Sequence, residues 1–191
     1  MWLINTHNGV RERGIPPIDI LDYPAIKNHL DQYYNKLEKR QDKGITPYNL
    51  RNCAYLEEFN RPKIIYPETV QSASFVGDKS GLMLDKTCFM LISNDAKYLL
   101  ATLNSKLFQF AYKRIFSSIE LGKNAYQYNK HALIKLPISI APKESIEEII
   151  ESVELLQKDN DNKTLSEKID KLIYKLYNIS EQEIEFIESS I

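Results

Sequence analysis

The sequence is poor in the residues and motifs that most enzyme sites require. Its 191 residues include two cysteines, three histidines and six glycines. Cys53 and Cys88 lack the paired spacing of a metal site, and the histidines are scattered rather than spaced as ligands. The chain has neither a Gly-rich phosphate loop nor a GxSxG nucleophile elbow. A nuclease would need clustered carboxylates, and turn chemistry explains the Asp78–Asp85 segment equally well. We therefore expect no catalysis on this chain.

Long apolar runs are also missing. No stretch approaches the roughly 20 residues that span a membrane. The first residues, MWLINTHNGVRERG, have neither the apolar core nor the cleavage site of a secretory signal. Two cysteines suit a reducing compartment, so we expect a cytoplasmic protein with both thiols buried and no membrane partner.

The net charge of −1 conceals a strong asymmetry along the chain. Residues 1–142 hold 19 Lys and Arg against 13 Asp and Glu, a net charge of +6. Residues 143–191 hold 6 against 13, a net charge of −7. A basic body of this kind can face phosphate, whereas phosphate repels an acidic tail.

Two turn-rich segments in the basic part, 42–67 and 120–130, interleave cations with tyrosines and amides. Lysine and arginine on exposed loops hold phosphates, and Arg, Asn and Gln read base edges by paired hydrogen bonds. The candidate phosphate contacts are Lys43, Arg61, Lys113, Arg114, Lys123 and Lys130, and Lys63 is a further candidate DNA-binding residue. The candidate base-reading residues are Tyr48, Asn49, Arg51, Asn124, Tyr126 and Gln127. The alternative, that both segments are solvated linkers, stays open at this point.

Local patterns predict the elements of a mixed α/β body. Strands are expected at Trp2–Thr6, Lys63–Tyr66, Ser74–Val76, Leu82–Leu84, Thr87–Ile92 and Ala132–Ile138. A turn is expected at Gly77-Asp78. Because Pro62 and Pro67 flank the second strand, we place it at a sheet edge. Helical spacing predicts a helix from Pro24 to about Arg40 capped by Asp22, one ending at Leu103 capped by Asn94 or Ser93, and one at Lys106–Phe116.

The segment beyond Pro142 is predicted to be helical. Three capping boxes precede apolar residues at helical spacing: Ser145 with Glu148, Thr164 with Glu167, and Ser180 with Glu183. Amphipathic helices of this kind must cover an apolar face on the body, on each other or on a partner. We therefore divide the chain into a recognition domain at 1–142 and a helical spacer or docking region at 143–191.

The order of several short motifs resembles a known family. The motifs are YPAIK at 23–27, PYNLR at 47–51, PKIIYP at 62–67, LNSKL at 103–107 and LPI at 136–138. The closing segment, IDKLIYKLY at 169–177 with SEQEI at 180–184, also matches. Together they resemble the target-recognition (TaqI-like C-terminal specificity) domain of type IIG restriction-modification enzymes and related adenine-specific DNA methyltransferases.

The resemblance implies a fold similar to one specificity half of a type I restriction system, and a chain that recognises double-stranded DNA. It also implies a partner domain or subunit, a methyltransferase/endonuclease that binds S-adenosylmethionine and Mg, in a bacterial cytoplasm. The Asn-Pro-Pro-Tyr-type motif of that catalytic part is absent here. We therefore expect a non-catalytic specificity part without its own cofactor. The alternative is a protein-interaction module that docks a partner through amphipathic helices and a Tyr-rich surface, without DNA.

Overall fold

The computed structural model describes residues 3–116, 125–159 and 162–191. They form two compact units, Met1–Phe59 and Asn60–Ile191. Each unit contains helices, and the second unit also contains small antiparallel sheets, so the predicted mixed α/β class is confirmed. No helix of the described ranges is long and apolar enough to cross a membrane.

The first unit contains two short helices, α1 (Pro24–Asp31) and α2 (Tyr34–Lys39). The sequence predicted one helix here, but the chain leaves helical geometry at Tyr33, with φ −112° and ψ 7°, and Tyr33 becomes the N-cap of α2. The predicted Asp22 cap is also wrong, because Tyr23 occupies that position. The predicted strand at Trp2–Thr6 is wrong for Leu3–Thr6, which has no strand, and Trp2 lies outside the described residues.

The second unit is built on a three-stranded antiparallel sheet. Its strands are β1 (Lys63–Pro67), β3 (Val76–Asp78) and β4 (Cys88–Leu91), in the order β3-β1-β4. Strand β1, which the flanking prolines predicted to be an edge strand, is therefore the central strand of the sheet. Pro62 precedes the ladder and Pro67 ends it, so neither removes a donor between them.

The secondary structure that follows β1 also differs from the sequence prediction. The predicted Gly77-Asp78 turn lies inside β3, and the chain turns after Asp78, whose side chain accepts from the amide of Leu82. The described structure has no strand at Leu82–Leu84. A second, two-stranded sheet pairs β2 (Thr69–Val70) with β5 (Tyr126–Gln127).

Two consecutive helices follow the sheet strands, as predicted: α3 (Ala96–Asn104) and α4 (Lys106–Phe116). Helix α3 packs against β1 and β3. The N-cap of α3 is Asp95, one residue beyond the predicted Asn94. The predicted strand at Ala132–Ile138 is wrong. Asn129 accepts a hydrogen bond from the amide of His131 and starts a short helix instead, α5 (Lys130–Leu133).

Three helices complete the second unit: α6 (Lys143–Leu156), α7 (Lys163–Leu176) and α8 (Glu181–Ser189). Of the predicted capping boxes only Ser180 with Glu183 forms. Helix α6 already begins at Lys143, before Ser145, and Asn162 rather than Thr164 caps α7.

The acidic residues 143–191 pack on other helices of the second unit. Helix α6 packs against α3 and α7, while α7 and α8 pack against α4. Ile149, Val153, Ile169 and Ile173 enter one apolar core with Leu100 and its neighbours. The functional division at residue 142 stays a prediction.

Candidate nucleic-acid interface

Asn49, a predicted base reader, faces the interior of the first unit. It is buried, and its side-chain nitrogen donates to the carbonyls of Ile18 at 2.9 Å and His7 at 3.3 Å. Its side-chain oxygen accepts from the hydroxyl of Thr46 at 2.6 Å. The amide joins three chain segments, so the prediction that it reads a base is corrected to a structural role.

Three other candidates of the first unit lie near the surface. Lys43 is exposed, with its ammonium donating to the carbonyl of Glu38 at 2.6 Å, and Arg51 is exposed. Tyr48 is half-buried, and its hydroxyl donates to Asp31 at 2.6 Å. Hydrogen bonds from Lys27 and Tyr48 hold the pKa of the Asp31 carboxyl below its usual range. The hydroxyl of Tyr48 is thus engaged with the protein, whereas the cations remain accessible.

Lys63, a predicted DNA-binding residue, is fully buried. Its ammonium lies 2.5 Å from Asp78, which stands opposite it in the β1–β3 register. Burial opposes ionisation of Asp78. Hydrogen bonds from Lys63, from the Ser80 hydroxyl and from the amides of Ser80 and Leu82 nevertheless hold its pKa well below the usual range. The predicted DNA contact is therefore corrected to an ion pair inside the sheet. Arg61, two residues earlier, is exposed.

Five candidates lie on what we call the α4–β5 corner, residues 112–114 and 126–130. Tyr126 is buried there, so its predicted base contact is corrected to a packing role. Lys113 is half-buried, with its ammonium 5.3 Å from the centre of the Tyr126 ring. The exposed candidates of the corner are Arg114, Gln127 and Lys130. Lys123 and Asn124 lie outside the described residues.

The hydroxyl of Tyr112 joins the two sides of this corner. It donates to the carbonyl of Gln127 at 2.9 Å and accepts from the amide of Asn129 at 2.8 Å. Burial raises the pKa of the Tyr112 hydroxyl. Sequence reasoning missed this residue, because a tyrosine at helical spacing suggests only core packing.

The family model described as the TaqI-like C-terminal specificity domain matches residues 19–138 of the sequence. The chain belongs to this family. The match covers more than half of the 191 residues, including PYNLR, PKIIYP and LNSKL. TaqI-like specificity domains are DNA-recognition parts of restriction-modification enzymes and are non-catalytic on their own. In this TaqI-like domain the matched segment contains α1 to α5 and both sheets, and helices α6 to α8 follow it.

Positive charge is concentrated in residues 60–142, which the second unit of the TaqI-like domain combines with the acidic residues 143–191. Residues 1–59 hold eight Lys and Arg and eight Asp and Glu, so their net charge is zero. Residues 60–142 hold eleven against five, which accounts for the whole excess of +6. The α4–β5 corner belongs to this basic segment, whereas Lys43 and Arg51 belong to the neutral unit.

A pocket of about 570 Å³ lies between the sheet and helices α3, α6 and α7 of the TaqI-like domain. Polar side chains on its walls already bond the protein itself. Lys63 pairs with Asp78, Asn104 bonds both the amide and the carbonyl of Phe75, and Asp170 accepts from the amide of Lys106. These contacts hold the walls together, and we do not include the pocket in the candidate interface.

Proposed function

We propose that this chain recognises a specific sequence in double-stranded DNA, as the non-catalytic specificity part of a restriction-modification methyltransferase/endonuclease. The observation that supports this most directly is the α4–β5 corner. There, the Tyr112 hydroxyl joins α4 to β5, and Arg114, Gln127 and Lys130 are exposed within the segment that carries the excess positive charge. The cations would hold phosphates, and the amide would read a base edge.

The catalytic chemistry would belong to a partner domain or subunit. That part would bind S-adenosylmethionine and Mg and flip the target adenine out of the duplex, while this chain fixes the register on the DNA. The complex would work on DNA in a bacterial cytoplasm. Because this chain would supply only part of the phosphate clamp, we expect it to bind weakly and to lose affinity as salt increases.

The test is selection from a pool of random duplex DNA at low and moderate salt, with sequencing of the retained molecules. Enrichment of one short motif is the expected result. Arg114→Ala should then lower the slope of log affinity against log salt by about one, the loss of a single phosphate contact. Arg11→Ala removes an exposed arginine from the neutral unit and serves as the control. Absence of retention at low salt would refute the proposal.

The first unit favours a second candidate function, protein docking. It has no net charge, and Leu21, Tyr23 and Tyr33 are 68%, 45% and 46% exposed. Tyrosine and leucine of this kind suit a protein partner better than a phosphate backbone. If the chain does not retain DNA, this unit should still bind the catalytic part, and Leu21→Ser with Tyr23→Ser should weaken that binding.

A further inference from the structure

We infer that Tyr112 is a positioning residue for base readout: its buried hydroxyl fixes the backbone that presents the side chain of Gln127. The inference rests on the proposed function, which it extends from the exposed surface to the group beneath it. Tyr112 does not itself reach the surface, since only 1% of it is exposed. It would therefore act on DNA only through the residue that it holds.

The contacts of Tyr112 separate the role of its ring from that of its hydroxyl. The ring packs against Tyr126, Tyr128 and Phe116, with centroid distances of 5.9, 4.9 and 5.6 Å. The hydroxyl makes the two backbone bonds, to the Gln127 carbonyl and from the Asn129 amide. A phenylalanine keeps the ring contacts and loses both of these bonds, so the two roles can be tested separately.

The segment held by Tyr112 is short and has little other regular pairing. Strand β5 has two residues, paired to Thr69 and Val70 of β2. The next residue, Tyr128, donates its amide to the carbonyl of Glu68 at 2.8 Å. Beyond that bond, Tyr112 ties the chain to α4, which is anchored in the core by Phe108. The hydroxyl therefore adds a direct link between α4 and the backbone of β5.

Strand geometry then directs the side chains of β5. Successive residues of a strand point to opposite faces, so Tyr126 points into the core and Gln127 points to solvent. A glutamine that makes two hydrogen bonds to adenine must be held in one orientation, because both bonds fail together when the backbone shifts. Arg114 and Lys130 are exposed in the same corner, and as phosphate contacts they would add affinity that does not depend on the base sequence.

The experiment compares four forms of the full 191-residue chain: wild type, Tyr112→Phe, Gln127→Ala and the double variant. The measured quantity is the ratio of affinity for the enriched duplex to affinity for random duplex of the same length. We expect the ratio to fall roughly fivefold to a hundredfold in Tyr112→Phe, the range that one paired base contact supplies. The salt slope should stay unchanged. The double variant should lose no more than Gln127→Ala, because both changes remove the same contact.

Tyr98→Phe is the matched control. Its hydroxyl is another donor to a backbone carbonyl, that of Ser139 at 2.9 Å, and Tyr98 is also buried in the core of the second unit. If Tyr112 had a purely structural role, Tyr112→Phe and Tyr98→Phe would show the same ratio of affinity for the enriched duplex to affinity for random duplex. That outcome overturns the inference.

Three further outcomes are decisive. If wild type retains no preferred duplex, the proposed function fails and the inference fails with it. If wild type is selective and Tyr112→Phe keeps the full ratio, only the inference fails. If Tyr112→Phe does not fold, Gln127→Ala, which changes an exposed side chain, gives the decision: an unchanged ratio there also overturns the inference.

Discussion

Replacing Lys63 by methionine should destabilise the protein far more than the same replacement at Lys97. Lys63 forms its ion pair with Asp78 where their side chains are 0% and 5% exposed. Lys97 forms an ion pair with Glu154, where the side chains are 37% and 46% exposed. Methionine preserves most of the length of the lysine stem, so each variant removes a charge and little packing. The comparison therefore isolates the effect of burial.

The expected magnitude follows from what remains around Asp78 in the Lys63→Met variant. Removal of one partner of a buried ion pair costs about 3–5 kcal/mol, because the other charge is left without compensation. Here three hydrogen bonds remain on the carboxylate, two from Ser80 and one from the Leu82 amide. They place the expected loss near the lower end, about 3 kcal/mol. The exposed pair should contribute about 0–1 kcal/mol.

The difference in the free energy of unfolding between wild type and Lys63→Met should also depend on pH. The pKa of Asp78 is depressed in the folded protein, chiefly by the hydrogen bonds of Lys63 and Ser80 acting against burial. A depressed carboxyl contributes stability above its unfolded pKa of about 3.9 and loses it as the pH falls through the folded value. The gap between wild type and Lys63→Met should therefore be largest near neutral pH and should narrow below about pH 4.

Urea unfolding followed by far-UV circular dichroism measures both variants. The reasoning is refuted if Lys63→Met lowers the free energy of unfolding by no more than Lys97→Met does at pH 7. A second check comes from DNA binding at low salt. Since Lys63 does not face solvent, the folded Lys63→Met variant should keep the wild-type salt slope.

Two more predictions concern polar groups inside each unit. Asn49→Ala removes the amide that joins three segments and should lower the free energy of unfolding in urea by about 1–3 kcal/mol. The control Asn52→Ala, at an exposed residue, should lower it by under about 0.5 kcal/mol. Equal losses in the two variants would contradict a structural role for Asn49. Burial raises the pKa of Asp170 in the folded protein. The stability that this shift contributes is fully present below the pKa of the unfolded chain, and it is lost as the pH rises through the pKa of the folded protein. Asp170→Asn keeps an acceptor for the Lys106 amide but cannot ionise, so its stability relative to wild type should increase from pH 4 to pH 7. A difference in the free energy of unfolding that stays constant across this range in parallel urea titrations would contradict the prediction.

Local signals predicted the elements whose causes are local. Helix α4 and the Ser180 capping box follow from residues three or four apart, and both were predicted correctly. The strand at Ala132–Ile138 was wrong because apolar content favoured a strand, while Asn129 caps a helix that takes in the first two of these residues, Ala132 and Leu133. The central position of β1 was missed because a flanking proline removes no ladder bond when it lies at the very end of the strand.

The candidate site was harder to predict, because the same side chains serve DNA contact and internal bonding. Lysine and asparagine both appeared as ligands of DNA, yet Lys63 pairs with Asp78 fifteen residues away and Asn49 bonds carbonyls up to 42 residues away. Only the strand register and the chain path bring those partners together. The exposed members of the α4–β5 corner, Arg114, Gln127 and Lys130, stay predictions as DNA contacts.

The bond from Asp170 to Lys106 has a practical consequence for exchanging specificity between relatives. Asp170 lies on α7, outside the matched segment 19–138. Its carboxyl oxygen nevertheless accepts a hydrogen bond from the backbone amide of Lys106, the first residue of α4, at 2.9 Å. An acceptor at that end stabilises the helix by satisfying one of the amide donors that have no partner within the helix. A graft cut at the end of the matched segment would leave behind the acceptor of the first amide of the helix that bears Tyr112 and Arg114. The smallest transferable piece therefore extends through α7.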